Sequence, residues 1–145
     1  MRVENICVPG TGVVLVSIIT HTPHDSDKDK TEFITDPNQS IQVGVLHRSA
    51  GKVVEAHQHL PSQRTVVGTQ EVLIITSGMM HVDIYDLNKQ FIATRVLRMN
   101  DIFIQYHGGH SFHFMTDVRL VEIKQGPYAP SDKVFFDPRC HEQTK

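Results

Sequence analysis

Cysteine is scarce in this chain of 145 residues, which contains only Cys7 and Cys140, near opposite ends. Two thiols placed so far apart in the sequence form neither a disulfide framework nor a paired-cysteine zinc motif. We therefore expect both cysteines to be reduced, as is usual in a cytoplasmic protein.

An excess of charge of one sign is also lacking, because 14 basic and 16 acidic residues leave a formal net charge of −2. This balance gives no electrostatic reason to expect nucleic acid or an anionic membrane as a partner. The longest apolar run, VVLVSII from Val13 to Ile19, is too short to span a bilayer. We expect a cytoplasmic protein whose partners include neither nucleic acid nor a membrane.

Helical periodicity is nearly absent, and short segments rich in Val, Ile, Phe and Thr recur between turn residues. This pattern is typical of an all-β sandwich or barrel. The predicted strands are GVVLVSIIT, IQVGVLHR, VVEAHQH, EVLIIT, MHVDIYD, FIATRVLR, DIFIQY, HSFHFM and RLVEIKQG. Eight or nine short strands in one compact unit favour a jelly roll or a small closed barrel.

No linker, internal repeat or low-complexity block divides the chain, so we predict a single domain over residues 1–145. Residues 1–32 are expected to form an N-terminal strand and a polar loop, residues 33–124 the barrel core, and residues 125–145 a tail that wraps the outside. We expect His21, His24 and His141 to be ordinary structural or surface histidines.

Histidine is abundant, with ten in the chain and seven of them between His47 and His113. His57 and His59 lie two residues apart, so in a strand both would point to the same face and could bind one metal ion. Glu71 opens an apolar run, where a carboxylate is costly to bury unless a cation or a strong hydrogen bond satisfies it.

A second cluster, YHGGHSFH from Tyr106 to His113, contains a glycine pair that predicts a tight turn before His110. In a jelly roll this hairpin can lie across the barrel from the first, so His110 could complete a set of three histidines and one glutamate. Such a set leaves coordination positions on the ion for water or substrate.

The segments HQH, the glutamate seven residues before Gly78, and NDIFIQYHGGH together resemble the two-motif signature of the cupin superfamily. The likeness extends to VGTQEVLIITSGMMHVDIYD, GGHSF and VEIKQGPY, which are similar to segments of small single-domain bacterial cupins, and it covers about residues 33 to 137. The resemblance implies a double-stranded β-helix, or jelly-roll barrel, and one divalent metal ion bound by His57, His59, Glu71 and His110.

The spacing departs from the cupin pattern in ways that leave the fourth ligand open. The gap from His59 to Glu71 is longer than usual, and the second motif lacks its proline and is one residue short. His107 or His113 could therefore replace His110, although His113 lies three residues on and so faces the other side of a strand. We expect His81 to be an exposed strand residue.

Several other polar residues could line the cavity of such a barrel. We assign catalytic roles to Glu71 and His107, and substrate contacts to Arg64, Gln70, Gln105 and His47; for His47, a position at a strand end without a role in the site is the alternative. Arg48 could likewise hold an anionic group of a substrate.

The most favoured function is that of a metal-dependent enzyme acting on a small polar substrate, which could be derived from a carbohydrate. Fe would permit dioxygenase chemistry, whereas Zn, Mn or Ni would serve isomerase or epimerase chemistry. The alternative is a non-catalytic module that binds a metal or a small ligand. We also predict a homodimer, joined through the exposed edge of the Val13–Ile19 strand.

Overall fold

The fold is taken from a computed structural model, which describes residues 1–20 and 29–138. The expectations for Cys140, His21, His24 and His141 lie outside these residues. Of the described residues 44% are in strands and none is in an α-helix. The prediction of an all-β protein is therefore confirmed.

The described residues form ten strands, which follow one another in chain order. They are β1 (Arg2–Cys7), β2 (Val14–Thr20), β3 (Thr31–Phe33), β4 (Gly44–Leu46), β5 (Glu71–Ser77), β6 (Met79–Tyr85), β7 (Phe91–Arg98), β8 (Ile102–Gln105), β9 (Gly109–Phe114) and β10 (Arg119–Lys124). A single turn of 3₁₀-helix, Pro130–Asp132, follows β10.

The chain divides into two compact units, which are described separately. The first, here called the sandwich unit, takes in Met1–Thr22 and Gly68–Lys145, and the second, the hairpin unit, takes in Pro23–Val67. The prediction of one domain over residues 1–145 stays a prediction.

The sandwich unit consists of two antiparallel sheets that share one core. A five-stranded sheet has the order β1-β2-β8-β5-β10, and a three-stranded sheet has the order β7-β6-β9. In β6 the apolar residues Met80, Val82 and Ile84 alternate with polar ones and are fully buried, because successive side chains of a strand point to opposite faces. They pack in one cluster with Leu73, Ile75 and Phe103 of the larger sheet, among others.

Polar side chains interrupt the inner face of the larger sheet at one end. Glu71 pairs with Gln105 on β8 and with Lys124 on β10, directly beyond the buried Leu73 and Phe103 in register. Both Glu71 and Gln105 are buried. The sandwich is therefore closed by apolar packing in its middle and has a polar cluster at this end.

The structure corrects three expectations about strands. Residues 53–59, VVEAHQH, form no strand, and the whole stretch is exposed, so it has no sheet to join. β1 and β3 were not predicted, because their polar residues obscure the alternation. β2 is not an edge strand, since it lies between β1 and β8, and so cannot pair with a partner chain as predicted.

None of the sheets formed by the described residues closes into a barrel.

The hairpin unit contains the short pair β3–β4, whose first residue Thr31 lies opposite Leu46. Arg48 stabilises the open end of this pair, because its guanidinium donates to Lys30 O at 2.7 Å and to Thr31 Oγ1 at 2.5 Å.

In the described parts of the chain there is no helix long and apolar enough to cross a membrane.

Candidate functional site

A cavity of about 490 Å³ lies within the sandwich unit at the polar end of its core. It is formed where β5 begins, where β8 ends and β9 begins, and by the segment after the 3₁₀ turn. Its lining includes Glu71, Gln105, His110, Tyr85, Phe112, Lys133 and Phe136. The lining of the cavity therefore combines aromatic rings with polar and charged side chains.

Glu71 and His110 meet in this cavity from two different sheets. His110 lies opposite Ile84 of β6, whose side chain is in the core, so the imidazole also points inward. Its Nε2 atom lies 3.6 Å from Glu71 Oε2, and both side chains are largely buried. The two residues that the sequence predicts in separate motifs are thus neighbours.

Gln105 fixes the orientation and tautomer of His110. The Gln105 Nε2 group donates to Gly108 O at 2.8 Å, which turns its Oε1 atom toward His110 Nδ1. Since a carboxamide oxygen only accepts hydrogen bonds, His110 Nδ1 must carry the proton. In the neutral ring Nε2 then carries no proton, and it lies 3.6 Å from Glu71 Oε2.

Burial, as the largest cause, and the nearby charge of Lys133 together lower the pKa of His110 to about 4, against an opposing effect of Glu122. The imidazole is therefore neutral at physiological pH, and its contact with Glu71 is not an ion pair. Two electron-rich atoms, an imidazole nitrogen and a carboxylate oxygen, face each other there. That arrangement is favourable only with a proton or a cation between them.

Glu71 is the centre of a wider charged group. Burial raises its pKa, the negative charge of Glu122 raises it further, and Lys124 and Lys133 oppose this effect. Lys124 Nζ lies 3.8 Å from Glu71 Oε1 and 3.0 Å from Glu122 Oε1. The ammonium group is thus held more closely by Glu122, which leaves Glu71 only partly neutralised.

The segment that follows the 3₁₀ turn forms one side of the cavity. The Phe136 ring packs edge-on against Tyr85, with centroids 5.2 Å apart. It also covers Gly109, where a Cβ atom would approach the ring to 3.2 Å. These contacts of Phe136 therefore hold the described part of the C-terminal tail against the cavity.

The remaining predicted ligands and two predicted substrate contacts belong to the hairpin unit. His57 and His59 are exposed, and their ring centroids are 5.4 Å apart. The His57 Nδ1 atom is 2.9 Å from Glu55 O. Arg64 is exposed as well, and His47 follows β4 and donates its backbone N–H to Lys30 O.

Three further residues named from the sequence lie in the sandwich unit but outside the cavity lining. Gln70 is buried, and its backbone N–H donates to Gln125 Oε1 at 2.6 Å. His107 is exposed in the turn before β9. His113 lies opposite His81 on the outer face of the smaller sheet, as its spacing from His110 predicts.

Sequence reasoning did not identify the residues that surround Glu71. Glu122 and Lys124 alternate in β10 and share a face, so the segment VEIK did contain a signal for a charged strand face. Lys133 and Phe136 had no such signal, because only the packing of the tail segment brings them to the cavity.

The donor set at the cavity suits a divalent ion in part. A neutral imidazole nitrogen and a carboxylate oxygen each bind such an ion at about 2.0–2.2 Å. Because 3.6 Å is less than twice that distance, Glu71 Oε2 and His110 Nε2 can reach one ion together. Across residues 1–20 and 29–138, no three His, Cys, Asp or Glu side chains form such a group.

Comparison with known protein families, with curated proteins and with solved structures gives no significant match, so none of them assigns the chain to a family.

Proposed function

We propose that this chain is a small metal-dependent protein of the cupin type, an enzyme that acts on a small polar molecule in the cavity beside Glu71 and His110. The observation that supports this proposal most is the distance of 3.6 Å between His110 Nε2 and Glu71 Oε2 inside the cavity. The hydrogen bond from His110 Nδ1 to Gln105 is the kind of second-shell contact that orients metal-binding histidines.

Glu71 and His110 would hold one divalent ion, and the resemblance adds His57 and His59 on sequence grounds alone. Such an ion, whether Fe, Zn, Mn or Ni, supplies either dioxygen activation or polarisation of a substrate carbonyl. Glu71 could also move a proton, because its raised pKa brings it closer to neutral pH. Tyr85, Phe112 and Phe136 form an apolar wall that excludes water from one side of the substrate.

A second candidate, a metal-free module that binds a small ligand, is favoured by the position of Lys124. Its ammonium group lies 3.8 Å from Glu71 Oε1 and supplies a positive charge without any metal. In this case the ligand would bind to Gln105, His110 and Lys133 at the same cavity.

Titration calorimetry on tag-free protein with Mn²⁺ separates the two candidates. The metal-dependent protein should bind one ion at the cavity, and Glu71→Gln or His110→Asn should each weaken that binding by at least about tenfold, since each removes a ligand. Glu32→Gln, which removes an exposed carboxylate from β3, serves as the control. Unchanged affinity in both cavity variants would favour the metal-free module.

On sequence grounds the proposal also includes a homodimer in the cytoplasm. The edges of the larger sheet are β1 and β10, which replace β2 as candidates for pairing with a second chain. Light scattering at micromolar concentration should give twice the mass of one chain, and a monomer mass would count against the dimer.

A further inference from the structure

The outer face of the three-stranded sheet carries a pair of histidines from neighbouring strands. His81 of β6 lies directly opposite His113 of β9. Their ring centroids are 6.2 Å apart, and the ring planes are inclined by 78°. Val82 and Phe112, the next residues on the same two strands, pack in or against the core, so the two imidazoles are on the solvent side.

The geometry of this pair suits chelation of a metal ion. Opposed residues of an antiparallel pair have Cβ atoms about 4.5–5.5 Å apart, which keeps the two rings close. A ring centre lies roughly 3.2 Å from an ion that one of its nitrogens binds at about 2.1 Å. Rings whose centres are 6.2 Å apart can therefore reach one ion after small side-chain rotations.

We propose that His81 and His113 form a second metal site, which binds a transition ion that prefers imidazole ligands, such as Cu²⁺, Ni²⁺ or Zn²⁺. Neutral imidazole favours these ions, with Cu²⁺ bound most tightly, whereas Ca²⁺ and Mg²⁺ prefer oxygen ligands. The pair is the whole protein contribution, since no group of three potential ligands exists in residues 1–20 and 29–138. Water completes the coordination on this open face.

The nearest carboxylate on that face contributes charge and does not bind the ion directly. Asp83 lies two residues from His81, and its Oδ1 atom accepts a hydrogen bond from Thr94 Oγ1 at 2.5 Å. Its Oδ2 atom accepts one from Ser111 Oγ at 3.4 Å. These contacts hold the carboxylate beside the histidine pair and favour a cation there.

This site is independent of the cavity. His110 and His113 lie three residues apart on β9, so they point to opposite faces of the sheet. His110 faces the core beside Glu71, and His113 faces solvent beside His81. An ion on the outer face joins β6 to the edge strand β9, and by binding only the folded chain it should raise the thermal midpoint.

The test uses tag-free full-length protein carrying Glu71→Gln, His110→Asn, His57→Asn and His59→Asn, which removes the cavity donors and the exposed histidine pair of the hairpin unit. Calorimetry with NiCl₂ should detect one ion, and amide NMR signals should broaden around His81 and His113. Because chelation makes the second contact intramolecular, His81→Asn or His113→Asn should each weaken binding by about 10²-fold. His107→Asn, an exposed histidine in a turn, should have no effect.

A relocated pair separates chelation from nonspecific binding to single histidines. Val96 of β7 lies opposite His81 on its other side. Adding Val96→His to the His113→Asn variant should therefore restore affinity to within about tenfold of the parent. An affinity unchanged from the parent in both single asparagine variants, broadening centred elsewhere, or no recovery in a folded relocated variant would each overturn the proposal.

Discussion

Gln105 shows how a single residue prepares the candidate site. Its carboxamide is buried, donates to Gly108 O and accepts from His110 Nδ1. One side chain therefore holds both the turn before β9 and the orientation of the His110 ring. Gln105 also lines the cavity, so its predicted contact with a substrate stays a prediction beside its contact with His110. Its role is to position the histidine.

We expect Gln105→Leu to weaken metal binding about 10–100-fold, the usual effect of losing a second-shell partner. It should also lower the free energy of unfolding by about 1–3 kcal/mol, because it leaves buried polar groups unsatisfied. Calorimetry and urea denaturation measure the two effects. Ser17→Ala removes another buried hydrogen bond, to Asn5 Oδ1, and should affect stability alone.

His110 should make stability depend on pH in a defined window. The unfolded residue gains a proton near pH 6.5 and the folded one near 4, so the unfolded state binds more protons between these values. The stability is thus full above about pH 6.5 and falls by about 3 kcal/mol as the pH drops to about 4. The raised pKa of Glu71 makes the stability change with pH in the opposite direction, so the experiment is done in a protein that carries Glu71→Gln.

The comparison is therefore between Glu71→Gln and Glu71→Gln with His110→Asn, in urea denaturation from pH 4 to 8 without metal. The first protein should lose stability below pH 6.5 more steeply than the second. Parallel curves for the two proteins would contradict a buried neutral His110.

At the scale of elements, strands were predicted correctly where their segments are rich in apolar residues. FIATRVLR corresponds to β7 over its full length, and EVLIIT gives β5 almost unchanged. VVEAHQH was also predicted as a strand, but a strand requires a partner, and this exposed segment has none within the hairpin unit. The alternation of RVENIC was hidden by charged and polar residues, although β1 pairs with β2 along its whole length.

The need for a regular sequence pattern also explains which residues of the candidate site could be predicted. Glu71 and His110 were identifiable because each stands out in type and spacing within an apolar strand. Lys133 and Phe136 reach the cavity from a segment with no regular pattern, so only tertiary packing reveals them. The relation between strand faces, which separates His110 from His113, could be predicted from spacing alone.

The turn between β5 and β6 depends on Gly78, whose φ is +85°. A Cβ atom there would lie 2.1 Å from Asp117 O, so Gly78→Ala combines an unfavourable backbone conformation with a clash. The backbone conformation alone costs about 1–3 kcal/mol, so we expect the free energy of unfolding, measured by denaturation, to fall by more than that. Gly10→Ala, at φ +74° with nothing within 4 Å, should show the backbone cost alone. Equal losses would contradict the clash.

At the scale of the whole sandwich unit, an ion pair between Glu4 and Arg95 connects the two sheets. Arg95 of β7 donates to Glu4 Oε1 of β1 through Nε at 2.9 Å and Nη2 at 2.6 Å. The hydrogen bond from Arg95 lowers the pKa of Glu4, so the pair loses its contribution as the pH falls. Both side chains are 38% exposed, which reduces the stabilisation through solvent screening.

A double-mutant cycle with Glu4→Gln and Arg95→Met should therefore give a coupling energy of about 0.5–1 kcal/mol at neutral pH. The coupling should decrease in 1 M salt, because exposed charges are screened. A coupling near zero at low salt would mean that the apolar core alone joins the sheets.

The central claim, that Glu71 and His110 bind one metal ion in the cavity, is tested most directly by anomalous diffraction. Crystals of tag-free protein grown with Mn²⁺ or Zn²⁺ would be measured at the absorption edge of the metal. We predict a peak within about 2.0–2.2 Å of both Glu71 Oε2 and His110 Nε2, with Lys124 displaced toward Glu122. A cavity without a peak, in which Lys124 still neutralises Glu71, would contradict the metal-dependent function.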